Sequence, residues 1–432
     1  MRCILIILDG LGDRGQDCFE GKTPLHAAYT PNLDHLSSLG MNGLYHSTLQ
    51  GIPMSSETAH FVIFGYDISD FPGRGIIEAI GEGVNVSAND VVALCHLCSV
   101  EEKEKRLMLR YGCPEMPNEE AKVLMESIHS FSDQGVRFKL VHSKGIHGFL
   151  VMSGNVSKNI TDSDPVYEGK DIMEVLPLNT RKVSLAAKKT AESLNEYLIW
   201  SFRTLSGHAI NKERMEANLL PVNALVTQRP GKKKKLMSLR DAWGLRGLSI
   251  SSGAIYWGIC SALGIDTVRV NDTGNVEEDL KYRLSLARDA LEYDFIHVHT
   301  KMPDEAGHTK NPWYKKDVIE AIDRAMSIAV DDIIKDSEVL LVITADHSTA
   351  SSGTMIHTGE TVPLTMVGKY VRKDKVGEFN EISCPRGGLG IVKGKEMMYL
   401  ILNFLDRGKM HGLMDTPVDQ PYYPGQYKPL TL

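Results

Sequence analysis

The 432-residue sequence lacks a long apolar run and an excess of positive charge. No stretch approaches the roughly 18 consecutive apolar residues of a transmembrane helix. The net charge is −7, which disfavours a dedicated binder of nucleic acid or of anionic membranes. The apolar run at residues 3–8 is short and ends in Asp-Gly, which is typical of a buried strand rather than a signal peptide. These absences predict a cytoplasmic protein.

The sequence also lacks a disulfide framework and an internal repeat. It has seven cysteines, an odd number that favours reduced thiols. Cys95 and Cys98 form a CxxC pattern around His96, but no second pair stands at zinc-site spacing. We therefore interpret these two cysteines as inert, half-buried thiols. Lys232 to Lys235 form the one strong charge run, which we interpret as a solvated loop, with recruitment of phosphate as the alternative because the run closely follows Arg229.

Compact apolar runs alternate with helix-like segments over much of the chain. The strand-like runs are at residues 3–8, 295–299, 339–344 and 362–367, and helix-like segments include 317–334 and 395–405. This alternation predicts an α/β fold with a mainly parallel central sheet flanked by helices. In such sheets, ligands bind beyond the carboxyl ends of the strands.

A different pattern occupies about residues 83–187. It has alternating segments at 91–100, 106–111, 136–141 and 149–152, and one helix-like segment at 118–129. We interpret this mixture as an inserted α+β cap at residues 84–186, within a core formed by residues 1–83 and 187–432. A long helix at 185–205 is expected to return the chain to the core. Hinges are expected near residues 81–83 and 182–187.

Acidic residues and histidines cluster directly after, or near, these strand-like runs. They are Asp9, Asp304, His308, Asp346, His347 and His357. Each alone has a simpler interpretation, such as a turn cap, a helix cap or a structural histidine. Together they predict a site for two metal ions, since mixed carboxylate and imidazole ligands suit manganese, zinc, cobalt or iron better than calcium.

Ser56 opens a predicted helix in the segment Ser55 to His60. At that place, free backbone N–H groups and the helix dipole favour negative charge. A serine hydroxyl is a poor nucleophile at neutral pH, and a pair of metal ions about 3.5–4 Å apart can activate it and hold phosphoryl oxygens. The pattern predicts an enzyme that carries a phosphoryl group on Ser56. Transfer to another oxygen of the same molecule would be a mutase reaction, and transfer to water a phosphatase reaction.

Several motifs resemble those of the alkaline phosphatase superfamily and, within it, of the archaeal-type, cofactor-independent phosphoglycerate mutases. The resemblance covers most of the chain. The matching segments are residues 4–13, 22–25, 30–34, 56–60 with 64–67, 73–75 with 78–79, 161–165 and 386–390.

The resemblance implies a role for each of these residues. Asp304, His308 and His357 would hold one metal ion. Asp9, Asp346 and His347 would hold a second ion beside the Ser56 oxygen. The two divalent ions would be manganese, with zinc, cobalt or magnesium as alternatives, and 2,3-bisphosphoglycerate would not be needed. The substrate would be a small phosphorylated molecule, bound by Arg74, His147, Arg229, Lys301 and Arg386.

The sequence departs from the family pattern at three places. Gly148 stands where the family usually has arginine after a histidine, and Val166 where it often has histidine after Asp-Pro. Ser55 replaces the usual glycine before the nucleophile. Our first hypothesis is interconversion of 3- and 2-phosphoglycerate. The alternatives are a phosphotransferase or phosphatase for another small phosphoester or phosphonate, and a non-catalytic metabolite-binding homologue.

Overall fold

The computed structural model describes residues 1–179 and 183–432, and it contains fourteen strands and fourteen α-helices in these ranges. The strands are β1 (Arg2–Leu8), β2 (Met41–His46), β3 (Val91–Lys103), β4 (Arg106–Tyr111), β5 (Ser130–Asp133), β6 (Val136–His142), β7 (His147–Ser153), β8 (Ala224–Lys232), β9 (Gly247–Ser251), β10 (Asp266–Arg269), β11 (Phe295–Thr300), β12 (Val339–Thr344), β13 (Val362–Val367) and β14 (Gly390–Lys393).

The helices vary from four to twenty-two residues in length. They are α1 (Pro24–Ala27), α2 (Pro31–Leu39), α3 (Ser56–Ile63), α4 (Arg74–Gly81), α5 (Asn118–Ser127), α6 (Leu185–Ser206), α7 (Ala209–Glu216), α8 (Leu239–Trp243), α9 (Ala254–Ala262), α10 (Val276–Asp289), α11 (Met302–His308), α12 (Pro312–Ala325), α13 (Ser327–Asp331) and α14 (Glu396–Phe404). No described helix is long and apolar enough to cross a membrane.

The chain divides into two compact units. Unit 1 comprises residues 1–71 and 236–432, and unit 2 comprises residues 72–235. Unit 1 contains an eight-stranded sheet in the order β10-β9-β11-β1-β12-β13-β2-β14. Its pairs are parallel except at β13, which runs antiparallel to both neighbours. The predicted α/β class with a mainly parallel sheet is therefore confirmed.

Strand β1 lies at the centre of this sheet, and its last six residues are wholly buried. Such a continuous run of Ile and Leu is typical of a parallel strand covered on both faces. β1 pairs with β11 on one side and β12 on the other, and Leu8 lies opposite Thr300 while Ile7 lies opposite Thr344. The three strands end at the same edge of the sheet, so the residues that follow them meet there.

Unit 2 contains an antiparallel sheet in the order β4-β3-β7-β6-β5, with β8 paired to β3. The helix α6 packs on this sheet, where the ring of Tyr197 stacks on Phe138 with centroids 5.0 Å apart. Cys95 and Cys98 are buried in β3, and burial raises the pKa of both thiols. They are therefore poor nucleophiles and more deeply buried than the sequence indicated.

Unit 2 differs in its bounds from the cap expected at residues 84–186. Residues 72–83 and 187–235, expected in the core, belong to unit 2 because β8 pairs with β3 and α6 contributes Ala191, Leu194 and Tyr197 to its apolar core. The chain enters and leaves unit 2 at 71/72 and 235/236. The expected hinges at 81–83 and 182–187 do not coincide with these crossings, and residues 180–182 lie outside the described residues.

Candidate active site

The carboxyl ends of β1, β11 and β12 bring six predicted metal ligands to one edge of unit 1. Asp9 follows β1, and Asp346 and His347 follow β12. Asp304 and His308 lie one turn apart on α11, which begins directly after β11, and His357 lies in the loop between β12 and β13. The structure therefore brings these predicted residues together, and buried carboxylates of this kind are typically paired or metal-bound.

One group of potential ligands consists of Asp304, His347 and His357, with one ligand atom from each lying within 4.8 Å of the others. His357 Nε2 is 3.4 Å from Asp304 Oδ1. His308 lies beside this group rather than within it, with Nε2 3.2 Å from Asp304 Oδ2 and 38% of its side chain exposed. The group is thus buried on the His347 side and open on the His308 side.

A second group consists of Asp9, Asp346 and His347, again within 4.8 Å of one another. His347 Nε2 is 3.3 Å from both Asp9 Oδ1 and Asp346 Oδ2. His347 therefore lies between the two groups, whereas the family resemblance implied a place in the second alone.

Ser56 begins α3 and lies beside the second group. Its Oγ is 3.0 Å from His347 Nε2 and 3.4 Å from Asp9 Oδ1, and the residue is 8% exposed. Ser55 Oγ instead pairs with Thr58 Oγ1 at 2.9 Å. Of the two adjacent serines, Ser56 has the hydroxyl that points at the ligand groups.

The three carboxylates differ in the pKa that their surroundings impose. Burial raises the pKa of Asp9 well above its usual value, and the nearby charges of Asp346 and Asp304 raise it further. Burial also acts to raise the pKa of the other two, but imidazole neighbours outweigh it. His308 and His357 hold the pKa of Asp304 low, and His347 and His60 do so for Asp346.

His347 is suited to metal ligation because burial keeps its ring nitrogen unprotonated. Burial lowers the pKa of His347 to about 4, so its imidazole is neutral at pH 7. Burial also acts to lower the pKa of His357, but its hydrogen bond to Asp304 raises that pKa overall. A cation bound at Asp304 would remove that preference for the proton.

The donor set fits two divalent cations. Asp346 Oδ2 is buried and accepts no hydrogen bond in the described structure; its near neighbours are two imidazole nitrogens, His347 Nε2 and His60 Nδ1, each 3.3 Å away. A cation would satisfy this buried carboxylate oxygen. Mixed oxygen and nitrogen donors suit manganese, zinc or cobalt.

Four residues that the sequence did not single out hold the ligands in place. Tyr256 OH donates to Asp9 Oδ2 at 2.5 Å, and His299 Nε2 lies 3.0 Å from the same oxygen. Thr349 Oγ1 donates to Asp304 Oδ1 at 2.6 Å. His60 Nδ1 is 2.9 Å from Ser56 O and 3.3 Å from Asp346 Oδ2. The position of His60 four residues after Ser56, on the same helix face, was the one available signal.

The structure separates the two substrate-binding candidates in unit 1. Lys301 lies at the N-terminal end of α11, and its charge acts to lower the pKa of Asp9. Arg386 is exposed, three residues before Leu389, whose N–H donates to Asn42 O at the start of β2. Ser47, at the other end of β2, donates to Asp346 O at 2.8 Å. A five-residue strand span of about 16 Å therefore lies between the Arg386 segment and the site.

The remaining substrate-binding candidates lie in unit 2. Arg74 begins α4, and its guanidinium pairs with Glu78 at 2.9 Å. Arg229 is an exposed residue of β8 whose N–H donates to Asp162 Oδ1 at 2.6 Å. His147 begins β7; its side chain reaches solvent, but partial desolvation by the surrounding protein lowers its pKa.

Comparisons with known proteins give a consistent result. Residues 1–404 match the family described as the metalloenzyme superfamily. The chain is 40% identical over 421 residues to the 2,3-bisphosphoglycerate-independent phosphoglycerate mutase 2 of Methanocaldococcus jannaschii, covering 96% of this chain and 95% of that one. A solved cofactor-independent phosphoglycerate mutase from Thermoplasma acidophilum is 29% identical, with a TM-score of 0.64 over 94% of this chain and 99% of that chain. A solved protein from Pyrococcus horikoshii is 28% identical, with a TM-score of 0.77 over 95% and 99%.

Proposed function

Because the chain belongs to the family of 2,3-bisphosphoglycerate-independent phosphoglycerate mutases, which are isomerases, we propose that it interconverts 3- and 2-phosphoglycerate through a phosphoserine at Ser56. The membership confirms the family that the motifs predicted. The observation that carries the proposal is the place of Ser56 Oγ, 3.0 Å from the histidine shared by both ligand groups.

The reaction that fits this geometry consists of two phosphoryl transfers. In the first, Ser56 Oγ forms a bond to phosphorus while the ester bond to glycerate breaks; Oγ loses its proton and the released glycerate oxygen gains one. In the second, the other hydroxyl of the held glycerate attacks the phosphoserine and regenerates Ser56 with the proton returned. No water is consumed, so the products differ from the substrate only in the position of phosphate.

The metal ligands are part of the proposal. Asp304, His308 and His357 would hold one divalent ion and Asp9 and Asp346 the other, with His347 between them. When bound, such ions lower the pKa of a nearby hydroxyl and neutralise phosphoryl oxygens. We propose manganese for both positions, since mixed carboxylate and imidazole donors suit it.

The candidates for substrate recognition are those that the sequence motifs predict. Phosphoglycerate is a small trianion, and the cations Lys301, Arg74 and Arg229 and the neutral imidazole of His147 are proposed as donors to it. We assign unit 2 the role of a lid that excludes water while the bound glycerate changes its orientation between the two transfers. The position of Arg386, a strand's length from the ligand groups, does not support its predicted contact with the substrate. A cytoplasmic location stays a prediction.

The proposal is tested by an enolase-coupled assay with 3-phosphoglycerate on protein reconstituted with manganese, without 2,3-bisphosphoglycerate. Turnover is the expected result. An enzyme that binds two manganese ions but is inert with both phosphoglycerates would contradict the substrate assignment.

A second candidate function, transfer from another small phosphoester or phosphonate, is favoured by the strand around Gly148. A Cβ atom on Gly148 would lie 2.7 Å from Val141 O, so this backbone has no room for the basic side chain that the family carries there. At Val166 the usual histidine is also absent. Loss of two charge-assisted contacts weakens the recognition of glycerate by an amount on the order of 1.5–3 kcal/mol each. A panel of phosphoesters and phosphonates, compared by kcat/KM with 3-phosphoglycerate, distinguishes the two candidates.

A further inference from the structure

A lysine on α12 is completely buried beneath the ligand groups of unit 1. Lys315 has 0% exposure, and its Nζ donates to three backbone carbonyls: Gly10 O at 2.9 Å, Gly12 O at 2.9 Å and Thr349 O at 2.6 Å. All three donor positions of the ammonium group are thus directed at main-chain oxygens. These contacts use the full hydrogen-bonding capacity of the side chain within the protein.

The charge of this lysine is balanced by one fixed carboxylate. Asp13 Oδ2 is 3.2 Å from Lys315 Nζ, and neither side chain is exposed. Asp13 is itself held by Ser351 N, which donates to Oδ2 at 3.0 Å, and by Gln16 Nε2, which donates to Oδ1 at 3.0 Å. Burial lowers the pKa of Lys315, and Asp13 opposes that shift. Burying an ion pair seldom adds stability by itself. The Lys315–Asp13 pair is therefore better explained by a role other than stability.

The three carbonyls belong to the two chain segments that carry the ligand groups. Gly10 directly follows Asp9, and Thr349 lies two residues after His347. Lys315 therefore ties the segment after β1 to the segment after β12. Residues that fix ligand-bearing segments in this way determine where the ligand atoms lie relative to one another.

Thr349 extends the constraint from the backbone to the side chains. Its Oγ1 donates to Asp304 Oδ1 at 2.6 Å and lies 3.2 Å from His347 Nδ1. One residue therefore contacts both Asp304 and His347. Thr349 is buried, and the same residue provides the carbonyl held by Lys315.

The contact between these segments leaves no free space. Gly10 has φ of +64°, and a Cβ atom there would lie 2.6 Å from Thr349 Oγ1 and 2.7 Å from Asp304 Cβ. A shift of the Gly10 segment would consequently displace Thr349 and Asp304. Because the packing is this close, small movements of the Gly10 segment are passed on to the residues that it contacts.

We propose that Lys315 is a positioning residue for the metal centre: its buried ammonium group ties the Asp9 segment to the His347 segment and, through Thr349, sets the spacing between the two metal positions. The inference rests on the two metal positions of the proposed function. It does not rest on the identity of the substrate.

The test compares Lys315→Met with Lys316→Met in otherwise intact protein. Lys316 is the neighbouring residue on α12, where it pairs with Glu320 at 2.5 Å, and it serves as a matched loss of one lysine. Manganese affinity is measured by titration calorimetry, and the electron paramagnetic resonance spectrum of the bound ions reports their separation. Mutase turnover of wild type is recorded in parallel, so an inert wild type that still binds two ions contradicts the proposed substrate and not the role of Lys315.

The expected result for Lys315→Met is manganese affinity reduced by about 10- to 100-fold, with an altered spectrum, while Lys316→Met matches wild type. Wild-type affinity and spectrum in a folded Lys315→Met protein would overturn the proposal.

If Lys315→Met does not fold, the same manganese titration is made on Thr349→Val. This substitution removes the hydrogen bond from Oγ1 to Asp304 and keeps the size of the side chain. Weaker manganese binding in Thr349→Val, restored in Thr349→Ser, supports the proposal because serine keeps the hydroxyl. Unchanged binding in Thr349→Val overturns it.

Discussion

The candidate site residues of unit 1 and those of unit 2 differ in how deeply they are buried. In unit 1, Asp9 and Asp346 are buried and each is fixed by several named partners. In unit 2, Arg229 and His147 are exposed, and Arg74 makes a half-buried pair with Glu78. Substitutions of exposed side chains usually change stability little.

Under the proposed function, this difference separates the residues assigned to the chemistry from those assigned to the selection of substrate. Moving one proposed ligand in unit 1 would disturb a packed network, so the positions of these residues are strongly constrained. Gly148, which departs from the family pattern, is buried in β7 of unit 2 and lies outside that network. We therefore expect large effects on reaction rate from unit 1 and effects on substrate preference from unit 2.

The largest effect is expected for Ser56→Ala, which tests whether the chemistry lies entirely in unit 1. Loss of the attacking hydroxyl should reduce kcat on the order of 10³-fold or more and abolish a trapped phosphoenzyme. Manganese content should stay near wild type. Ser55→Ala is the matched control, because its hydroxyl faces Thr58 and not the ligand groups; a trapped phosphoenzyme in Ser56→Ala but not in Ser55→Ala would move the nucleophile to Ser55.

Removing unit 2 tests whether this unit acts as the proposed lid. Lys232 N donates to Pro72 O at 3.0 Å, so the chain enters and leaves unit 2 at adjacent points and a short linker can replace residues 72–235. We expect isomerisation to fall by about 100-fold or more, while the phosphoserine forms from a simple aryl phosphate and is hydrolysed. Wild-type manganese content would show that unit 1 is folded. Isomerisation without release of phosphate in this variant would exclude unit 2 as the lid.

The comparison of His347→Ala with His308→Ala tests, within unit 1, whether the two histidines contribute differently to metal binding. His347 belongs to both ligand groups, so its loss should reduce manganese from two ions per chain to less than one. His308 contacts Asp304 and His357, both in one ligand group, and is 38% exposed, so its loss should weaken one ion only, by about 10- to 100-fold. Metal analysis after gel filtration measures both. Equal losses in the two variants would contradict the shared position of His347.

The strand ends of unit 1 could be predicted from the sequence because local patterns contain the necessary information. An apolar run that stops at an acidic residue indicates a buried parallel strand, and the ends of such strands meet at one edge. This reasoning located Asp9, Asp304 and Asp346. It could not show that His347 lies between two groups, since that depends on the turn after β12.

Contacts between distant segments account for what the sequence did not reveal. The pairing of β8 with β3 joins residues about 130 apart, so the bounds of unit 2 have no local signal. Lys315 and Lys316 are adjacent lysines on one helix, yet Lys315 is fully buried beneath the site and Lys316 is half-buried in a pair with Glu320. Only the packing of α12 against the segments after β1 and β12 distinguishes them.

A smaller effect, on stability, is expected for Glu381→Gln. Burial raises the pKa of Glu381 to about 7, although Thr23 Oγ1 donates to it at 2.7 Å. The folded state therefore binds a proton more tightly than the unfolded state, whose carboxyl has a pKa near 4.3. This contribution to stability is complete below about pH 4.5 and is lost as the pH rises through about 7.

Glutamine stays neutral at every pH, so the variant should lose less stability than wild type between pH 5 and pH 8. Allowing for the partial exposure of Glu381, we expect a difference of about 1 kcal/mol in the free energy of unfolding. Denaturant titrations at the two pH values measure it. Parallel pH dependence in the two proteins would show that Glu381 is ionised throughout this range.

The smallest effect is expected for Arg386→Ala, although the family motif places this arginine near the substrate. Its segment bonds to Asn42 at the start of β2, whereas Ser47 at the end of that strand contacts Asp346. At about 3.3 Å per residue, the intervening strand is too long for an arginine to span. We therefore expect KM for phosphoglycerate within about twofold of wild type. Arg74→Ala, in unit 2, is the contrasting variant, with an expected rise in KM of about tenfold. A tenfold rise in Arg386→Ala instead would mean that substrate contacts extend to the opposite edge of unit 1.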